Sequence, residues 1–208
     1  MEKNVIITIS RQFGSNGREI ARKLAEYLDI SYYNKQILEK IAVNMGVCAD
    51  FFKDQNQDAN GLFTIESKGL LGLRNITELS VNTQIYDMAS DFIQKISQRE
   101  DAVIVGRCAD YALEDNPYAV SVFIKASLDE RVQRIKRIYE LNDSKAADLI
   151  QKTDKRRASY YNYYSSKKWG EAKSYNLCID SGLVGIDGAI DMILKFIELK
   201  EKNMGKDI

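Results

Sequence analysis

The sequence predicts an α/β protein in which helices cover both faces of a parallel sheet. Three observations support this fold class: short, almost wholly apolar strands alternate with helical patterns, a glycine turn joins the first strand to the first helix, and the chain closes on a strongly amphipathic helix. The chain has 208 residues, 45% of them hydrophobic, and one proline. We therefore expect a single domain over residues 1–208 without a linker.

The first strand and helix enclose the most informative segment. A β-branched run from Val5 to Ile9 predicts a buried strand, and Ile20, Leu24 and Leu28 predict the apolar face of a helix. A glycine turn that enters a helix beyond the carboxyl end of a parallel strand directs backbone N–H groups at an anion. The segment therefore predicts a phosphate site made of Gly14, Ser15, Asn16, Gly17, Arg18 and Glu19.

The rest of the chain repeats the alternation of strand and helix. Residues 46–99 are polar at first and then helical in pattern, which indicates an insertion over one end of the sheet. Residues 144–169 form a second insertion, rich in Lys, Arg and Tyr. Apolar runs predict further strands, and apolar positions three and four residues apart predict the helices that follow them. The predicted strands are 102–105, 119–124 and 175–179, and the helices carry Val132, Ile135 and Tyr139, and then Ile186 through Ile197.

The glycine turn departs from the standard phosphate-loop pattern GxxxxGK[ST]. When the second glycine is aligned on Gly17, Arg18 takes the lysine position, Glu19 the hydroxyl position and Gln12 the first glycine. Arg18 keeps the positive charge as a planar fork that can grip phosphate oxygens. Two interpretations stay open: a phosphate loop, and a generic glycine turn that caps a helix with Glu19 as a first-turn acid favoured by the helix dipole.

Composition excludes several classes of function. The chain has no histidine, which removes Ser-His-Asp and HExxH chemistry. Lys plus Arg and Asp plus Glu number 30 each, so no basic field predicts nucleic-acid binding. The three cysteines show no CxxC spacing, which suits a reducing compartment. No apolar run approaches the roughly 20 residues that span a bilayer. We expect a cytoplasmic protein with no membrane partner.

Three segments in this order resemble the cytidylate kinase-like family: the strand with GSNGRE and its helix, the strand end Val105-Gly106-Arg107, and the run from Asp154 to Tyr161. The resemblance continues to Ser181. It implies a P-loop kinase fold with a core of 1–45, 101–143 and 171–208, an acceptor-binding insertion at about 46–100 and a lid at about 144–170. The implied reaction moves the γ-phosphoryl group of ATP, with Mg²⁺, onto CMP or dCMP.

The resemblance also assigns roles to particular residues. Arg107 is similar to the strand-end arginine that holds the acceptor phosphate, and Asp110 to an aspartate of the same loop. Asn34 stands where relatives usually carry an aspartate, and Arg11 is a further candidate on the phosphate side. The catalytic candidates are Arg18, Arg157 and Asp154.

Helical spacing supports the lid assignment independently. At about 100° per residue, Asp154 and Arg157 share one sector of a helix, so Asp154 could orient Arg157 across one turn and Arg157 could act as an arginine finger. The alternative is a solvated helix with an ordinary ion pair. The arginines at 131, 134 and 137 recur every third residue, which predicts a solvent-facing helix side.

Three functions follow from these observations. The first is an ATP-dependent nucleoside monophosphate kinase. The second is a non-catalytic nucleotide-binding or regulatory protein that kept the fold after losing the loop lysine and hydroxyl. The third is a kinase for another small phosphate acceptor, because a fold does not determine its substrate. The sequence does not predict the oligomeric state.

Overall fold

The computed structural model describes residues 4–34 and 74–204. Within these ranges a parallel sheet has the strand order β2-β3-β1-β4-β5. Its strands are β1 (Ile6–Arg11), β2 (Ser31–Tyr33), β3 (Ala102–Val105), β4 (Ala119–Lys125) and β5 (Leu177–Asp180). The helices are α1 (Gly17–Leu28), α2 (Arg74–Ser97), α3 (Ala109–Ala112), α4 (Leu128–Tyr139), α5 (Asp143–Tyr164) and α6 (Ser181–Met204), and a short 3-10 helix spans Ala172–Ser174.

β1 lies at the centre of the sheet, between β3 and β4. Ile9 is in register with Val105 on one side and with Val122 on the other. All three side chains are at most 2% exposed. β1 pairs in parallel with both neighbours, which confirms the predicted parallel sheet. Burial on both faces is the reason why its sequence is an apolar run.

Helices cover both faces of the sheet, as predicted. On one face α1 and α6 pack on Ile7 and Ile9. On the other face α2 and α3 pack on Ile6 and Ile104. The last turns of α2 are buried here through Ala89, Ile93 and Ile96, so the end of the expected 46–100 insertion contributes to the core.

α4 and α5 form a smaller layer beside the sheet. The start of α4 is fixed by a capping box in which Ser127 accepts a hydrogen bond from Glu130 N and the Glu130 side chain accepts one from Ser127 N. Ala146 and Ile150 of α5 are buried against this helix and against Phe13. The segment expected to form the lid, 144–170, is therefore docked beside the phosphate loop through an apolar contact.

One short strand of the sheet differs from the sequence prediction. The strand Ser31–Tyr33 was not predicted, because its three residues are too few to show a period of two. Residues 35–73, which carry most of the expected acceptor insertion and Cys48, lie outside the described residues.

In the part of the chain that is described, no helix is both long enough and apolar enough to cross a membrane.

Candidate phosphate-binding site

The loop between β1 and α1 has the backbone geometry of an anion site. Gly14 has a φ of 85° and Asn16 a φ of 62°, and this left-handed Asn16 starts α1 directly. A Cβ atom on Gly17 would lie 2.5 Å from the Arg11 Cβ, so only glycine allows the helix to begin this close to the strand. The first N–H groups of a helix have no partner inside the helix. They are available to phosphate oxygens in front of Gly14-Ser15-Asn16-Gly17-Arg18.

Ser15 anchors the loop through its side chain. The hydroxyl is fully buried and donates to the carbonyl of Gln12 at 2.9 Å, and it also lies 3.1 Å from the carbonyl of Ile124 in β4. The Ser181 hydroxyl, at the start of α6, lies 2.7 Å from the Ser15 carbonyl. Strand β4 and helix α6 therefore hold the loop in place before any ligand arrives. Pre-set donors of this kind are the basis of electrostatic catalysis.

A cavity of about 370 Å³ opens in front of the loop. Five arginines of the described chain line it, namely Arg11, Arg18, Arg22, Arg134 and Arg157. The structure brings most of the predicted site residues together here; the lining includes Arg11, Gly14, Ser15, Asn16, Gly17, Arg18, Glu19, Asn34 and Arg157. The described lining of this cavity does not include three of the predicted site residues, Asp154, Arg107 and Asp110.

Asp154 acts behind the loop rather than inside the cavity. Its Oδ1 accepts a hydrogen bond from Phe13 N at 2.7 Å, and its Oδ2 accepts one from Arg131 Nη1 at 2.6 Å. Arg131 Nη1 also lies 3.3 Å from the carbonyl of Phe13. Arg131 and Asp154 thus clamp both peptide groups of Phe13, next to the first glycine of the loop. Both oxygens of the Asp154 carboxylate therefore act on the loop, one directly and one through Arg131.

Arg157 approaches the loop from the same side of α5. Its Nη1 donates to the carbonyl of Arg11 at 2.9 Å, and its guanidinium lies 5.5 Å from the centre of the Phe13 ring. Cation–π contact and hydrogen bond together direct the planar group across the mouth of the loop. The predicted common sector of Asp154 and Arg157 is therefore confirmed, although the two side chains contact different groups.

The predicted solvent-facing arginine row on α4 was wrong for two of its members. Arg131 is only 8% exposed, because it forms the clamp with Asp154. Arg134 is half-buried at the cavity, where burial lowers its pKa and the nearby Glu19 carboxylate opposes that shift. Arginine stays charged in proteins despite such a shift. Sequence reasoning missed both residues, since a three-residue spacing cannot tell a wet helix face from one that faces a cavity.

The turn after β3 is strained at the point where Arg107 lies. Gly106, Arg107 and Cys108 have φ values of 76°, 63° and 53°. Two successive non-glycine residues in the left-handed region are costly, and such strain gathers at functional sites. A Cβ atom on Gly106 would lie 2.7 Å from Arg11 Nη1, so the Arg11 guanidinium rests directly on this turn. Arg11 therefore joins the phosphate loop to the loop that carries Arg107.

Asp110 lies away from the phosphate loop. It is 7% exposed and accepts a hydrogen bond from the Tyr161 hydroxyl at 2.6 Å. Burial raises the pKa of this carboxyl group, and the hydrogen bond from Tyr161 works in the opposite direction. The residue lines a second cavity instead.

The site offers anion-binding donors rather than a cluster of metal ligands. In the described residues no group of three or more His, Cys, Asp or Glu side chains could hold a metal. Mg²⁺ in phosphoryl-transfer sites keeps waters and binds the substrate phosphates with one or two carboxylates. Glu19 is the carboxylate in the described lining, and the buried Asn16 Oδ1, which has no hydrogen-bond partner there, can accept from a ligand or a water.

A parallel sheet in the order β2-β3-β1-β4-β5, with a glycine loop entering α1, defines a P-loop kinase fold. Solved structures of that class agree. A shikimate kinase from Bacteroides thetaiotaomicron aligns with a TM-score of 0.52 at 13% identity, covering 93% of this chain and 98% of that one. A gluconokinase from Sinorhizobium meliloti 1021 aligns with a TM-score of 0.51 at 13% identity, covering 100% and 99%. At these identities the likeness shows the fold alone.

The sequence model of the cytidylate kinase-like family matches residues 6–183. The chain belongs to this family, which confirms the resemblance drawn from its motifs. An uncharacterized protein from Eubacterium ventriosum ATCC 27560 is 33% identical, with a TM-score of 0.71, and the alignment covers 94% of this chain and 99% of that one. Among proteins with curated descriptions, none matches this chain in sequence.

Proposed function

We propose that this protein transfers the γ-phosphoryl group of ATP to a nucleoside monophosphate, with CMP or dCMP as the preferred acceptor. The observation that carries the proposal is the convergence of Arg18, Arg134 and Arg157 on one cavity in front of the α1 N-terminus. Phosphoryl transfer is catalysed mainly by positioning and by positive charge around the transferring group. The preference for a cytosine nucleotide rests on the family to which the chain belongs.

Each part of the site has a definite task in this reaction. The loop N–H groups and Arg18 bind the donor phosphates, and Arg157 neutralises charge on the group in transfer. Asp154 is a positioning residue, since it acts through Phe13 and Arg131. Arg107, Asn34 and Arg11 serve the acceptor side.

Glu19, the carboxylate in the described lining, would help to hold Mg²⁺, which when bound would supply positive charge to offset that of the donor phosphates. In the standard pattern the hydroxyl of the loop Ser or Thr takes this place beside Mg²⁺. The protein groups would contribute orientation of the phosphates and exclusion of water. The ring of Phe13, 7% exposed behind the loop, supports that exclusion.

A second candidate function is nucleotide binding without catalysis. The observation that favours it is local: Arg18 and Glu19 replace the lysine and the hydroxyl of the standard phosphate loop, while the Ser15 hydroxyl is used to anchor the loop. A third candidate is a kinase for an acceptor other than a nucleotide. It is favoured by the fold neighbours, a shikimate kinase and a gluconokinase.

One assay separates the three candidates. Purified protein with ATP and Mg²⁺ is offered CMP, dCMP, UMP, AMP, GMP, shikimate and gluconate, and ADP release is measured. We expect the fastest release with CMP or dCMP. Release only with shikimate or gluconate would replace the nucleotide acceptor, and ATP binding by calorimetry without any ADP release would establish the non-catalytic function.

The assignment of Arg18 is tested by substitution. Arg18→Gln should lower turnover by about 100-fold, because it removes a charged donor from the transition state. Lys23→Gln is the matched control, since Lys23 lies on the same helix and pairs with Asp187 at 3.5 Å on the surface. Equal turnover in both variants would remove Arg18 from the site.

A further inference from the structure

A second cavity, of about 470 Å³, lies at the amino-terminal end of β4 and β5. Its lining includes Ala119 at the start of β4, Asn176 just before β5, and Lys200 near the end of α6. The phosphate loop follows the carboxyl end of β1. Because the strands are parallel, the amino-terminal ends of β4 and β5 lie at the edge of the sheet opposite to the phosphate loop. Parallel sheets bind their principal ligands at the carboxyl edge, so this cavity is a separate feature.

The floor of the cavity is polar where the fold calls for apolar residues. Thr8 of β1 and Ser121 of β4 are neighbours in register on the same face of the sheet. Thr8 is 3% exposed, and its hydroxyl has no hydrogen-bond partner among the described residues. A buried hydroxyl without a partner costs stability, so its presence calls for an explanation. A ligand that reaches Thr8 would supply the missing bond.

The rim carries positive charge at Lys200 and Lys167, and the lining also holds the carboxyl groups of Asp110 and Glu114. Lys200 Nζ donates to the carbonyl of Ala119 at 2.7 Å, and burial lowers the pKa of this amine. Within the described parts of the chain, no carboxylate forms an ion pair with Lys200. An ammonium has three donors, so the bond to Ala119 leaves two of them for a ligand. Lys167 also lines the cavity, in a loose pair with Glu114 at 3.5 Å.

Helix α5 connects this cavity to the phosphate loop. Asp110 lines the cavity and accepts the hydrogen bond from Tyr161, which is 3% exposed. Tyr161 lies one helical turn beyond Arg157, whose guanidinium bonds to the carbonyl of Arg11. A single helix therefore contacts the wall of one cavity and the mouth of the other.

We propose that the second cavity is an effector site for a small hydroxylated oxyanion, either a carboxylate or a phosphate monoester, and that Tyr161 on α5 transmits its occupancy to the phosphate loop. The oxyanion binds Lys200 and Lys167, and a ligand hydroxyl bonds to Thr8. The coupling rests on the proposed function only in that it requires ATP to bind at the loop.

Calorimetry with two probes tests the site, with citrate as the carboxylate and glycerol 3-phosphate as the phosphate monoester. We expect one or both to bind the full-length protein. Lys200→Gln should weaken binding about tenfold, because it removes a charge-assisted hydrogen bond. Thr8→Val should weaken it less, and Arg18→Gln should leave it unchanged. Binding of neither probe, or binding that Arg18→Gln abolishes and Lys200→Gln does not, would overturn the proposal.

The coupling has its own measurement. The dissociation constant of ATP is determined with and without a saturating probe, and we expect a change of about fivefold or more, reciprocal between the two ligands. Tyr161→Phe should keep probe binding and lose this effect. If the dissociation constant of ATP is the same with and without the probe, the two sites are independent and the coupling is overturned. If ATP does not bind at all, the proposed function fails, whereas the probe titrations still decide whether the cavity is a site.

Discussion

The two cavities of this molecule are built in opposite ways. The phosphate-loop cavity draws most of its lining from one continuous segment, residues 11–19, and its principal donors are backbone N–H groups and arginines. The second cavity collects side chains from β1, β4, α6 and the loops before β4 and β5. A sequence motif can predict a site such as the phosphate-loop cavity, because its residues are neighbours in the chain. The second cavity forms only when distant segments pack together.

Helix α5 serves both regions by different means. Towards the loop it contributes Asp154, which forms the charged clamp with Arg131 of α4, and the guanidinium of Arg157. Towards the second cavity it contributes an uncharged donor, the hydroxyl of Tyr161. The free energy of unfolding should therefore respond strongly to changes in the clamp and more weakly to changes around Thr8. Four substitutions, in decreasing order of expected effect, test that difference.

The largest effect is expected from Asp154→Ala. This change leaves the Arg131 guanidinium, 9% exposed in its side chain, without its counter-ion, which should cost about 3 kcal/mol of unfolding free energy. Urea denaturation measures the loss. Asp148→Ala on the same helix is the control, because its pair with Lys152 is 3.6 Å long and exposed, and should change stability by no more than about 0.5 kcal/mol. Equal losses would mean that the clamp contributes no more than a surface pair.

A smaller effect is expected from Tyr161→Phe. Loss of the hydroxyl leaves the buried Asp110 carboxyl group short of a donor, at a cost of about 2 kcal/mol. Urea denaturation again provides the measurement. Tyr163→Phe makes the same chemical change at a side chain that is 60% exposed, and should leave stability unaltered. If the two variants match, Tyr161 does not hold α5 to the wall of the second cavity.

Asp110→Asn should change how stability depends on pH. Burial raises the pKa of Asp110 in the folded state above its ordinary value of 3.8. In the pH interval between 3.8 and the raised pKa, the folded protein keeps a proton that the unfolded chain releases. Raising the pH through the interval therefore destabilises the natural protein, and the amide removes this loss. Urea titrations below pH 3.8 and at pH 7 should show the variant gaining relative to the natural protein at the higher pH. If the difference in unfolding free energy between the variant and the natural protein is the same at both pH values, the raised pKa of Asp110 is contradicted.

The smallest effect, and one of opposite sign, is expected from Thr8→Val. Valine keeps the shape and removes the hydroxyl that has no partner within the described chain, so stability should rise by about 1 kcal/mol in the absence of ligand. Ser121→Ala is the matched change, because that hydroxyl bonds to Asn176 and its loss should destabilise by about 1 kcal/mol. Thermal unfolding of both variants measures the contrast. If Thr8→Val instead lowers the stability, the Thr8 hydroxyl already has a hydrogen-bond partner in the folded protein.

Local pattern was enough to predict most of the fold. The apolar runs of β3 and β4 and the glycine turn after β1 are signals that neighbouring residues carry by themselves, and the structure confirms them. The spacing of Asp154 and Arg157 placed both on one side of α5, because the helix repeats every 3.6 residues. The strand Ser31–Tyr33 escaped prediction, since its pairing with β3 decides its conformation.

The chain by itself therefore determined the sheet, the phosphate loop with Arg18 in the lysine position, and membership of the cytidylate kinase-like family. Tertiary structure decided which polar side chains meet: Arg131 with Asp154 and Tyr161 with Asp110. The physical reason is that periodicity reports which face of an element is apolar, whereas the partner of a buried charge depends on which distant segment packs against it. The same packing created the second cavity and left Thr8 on its floor.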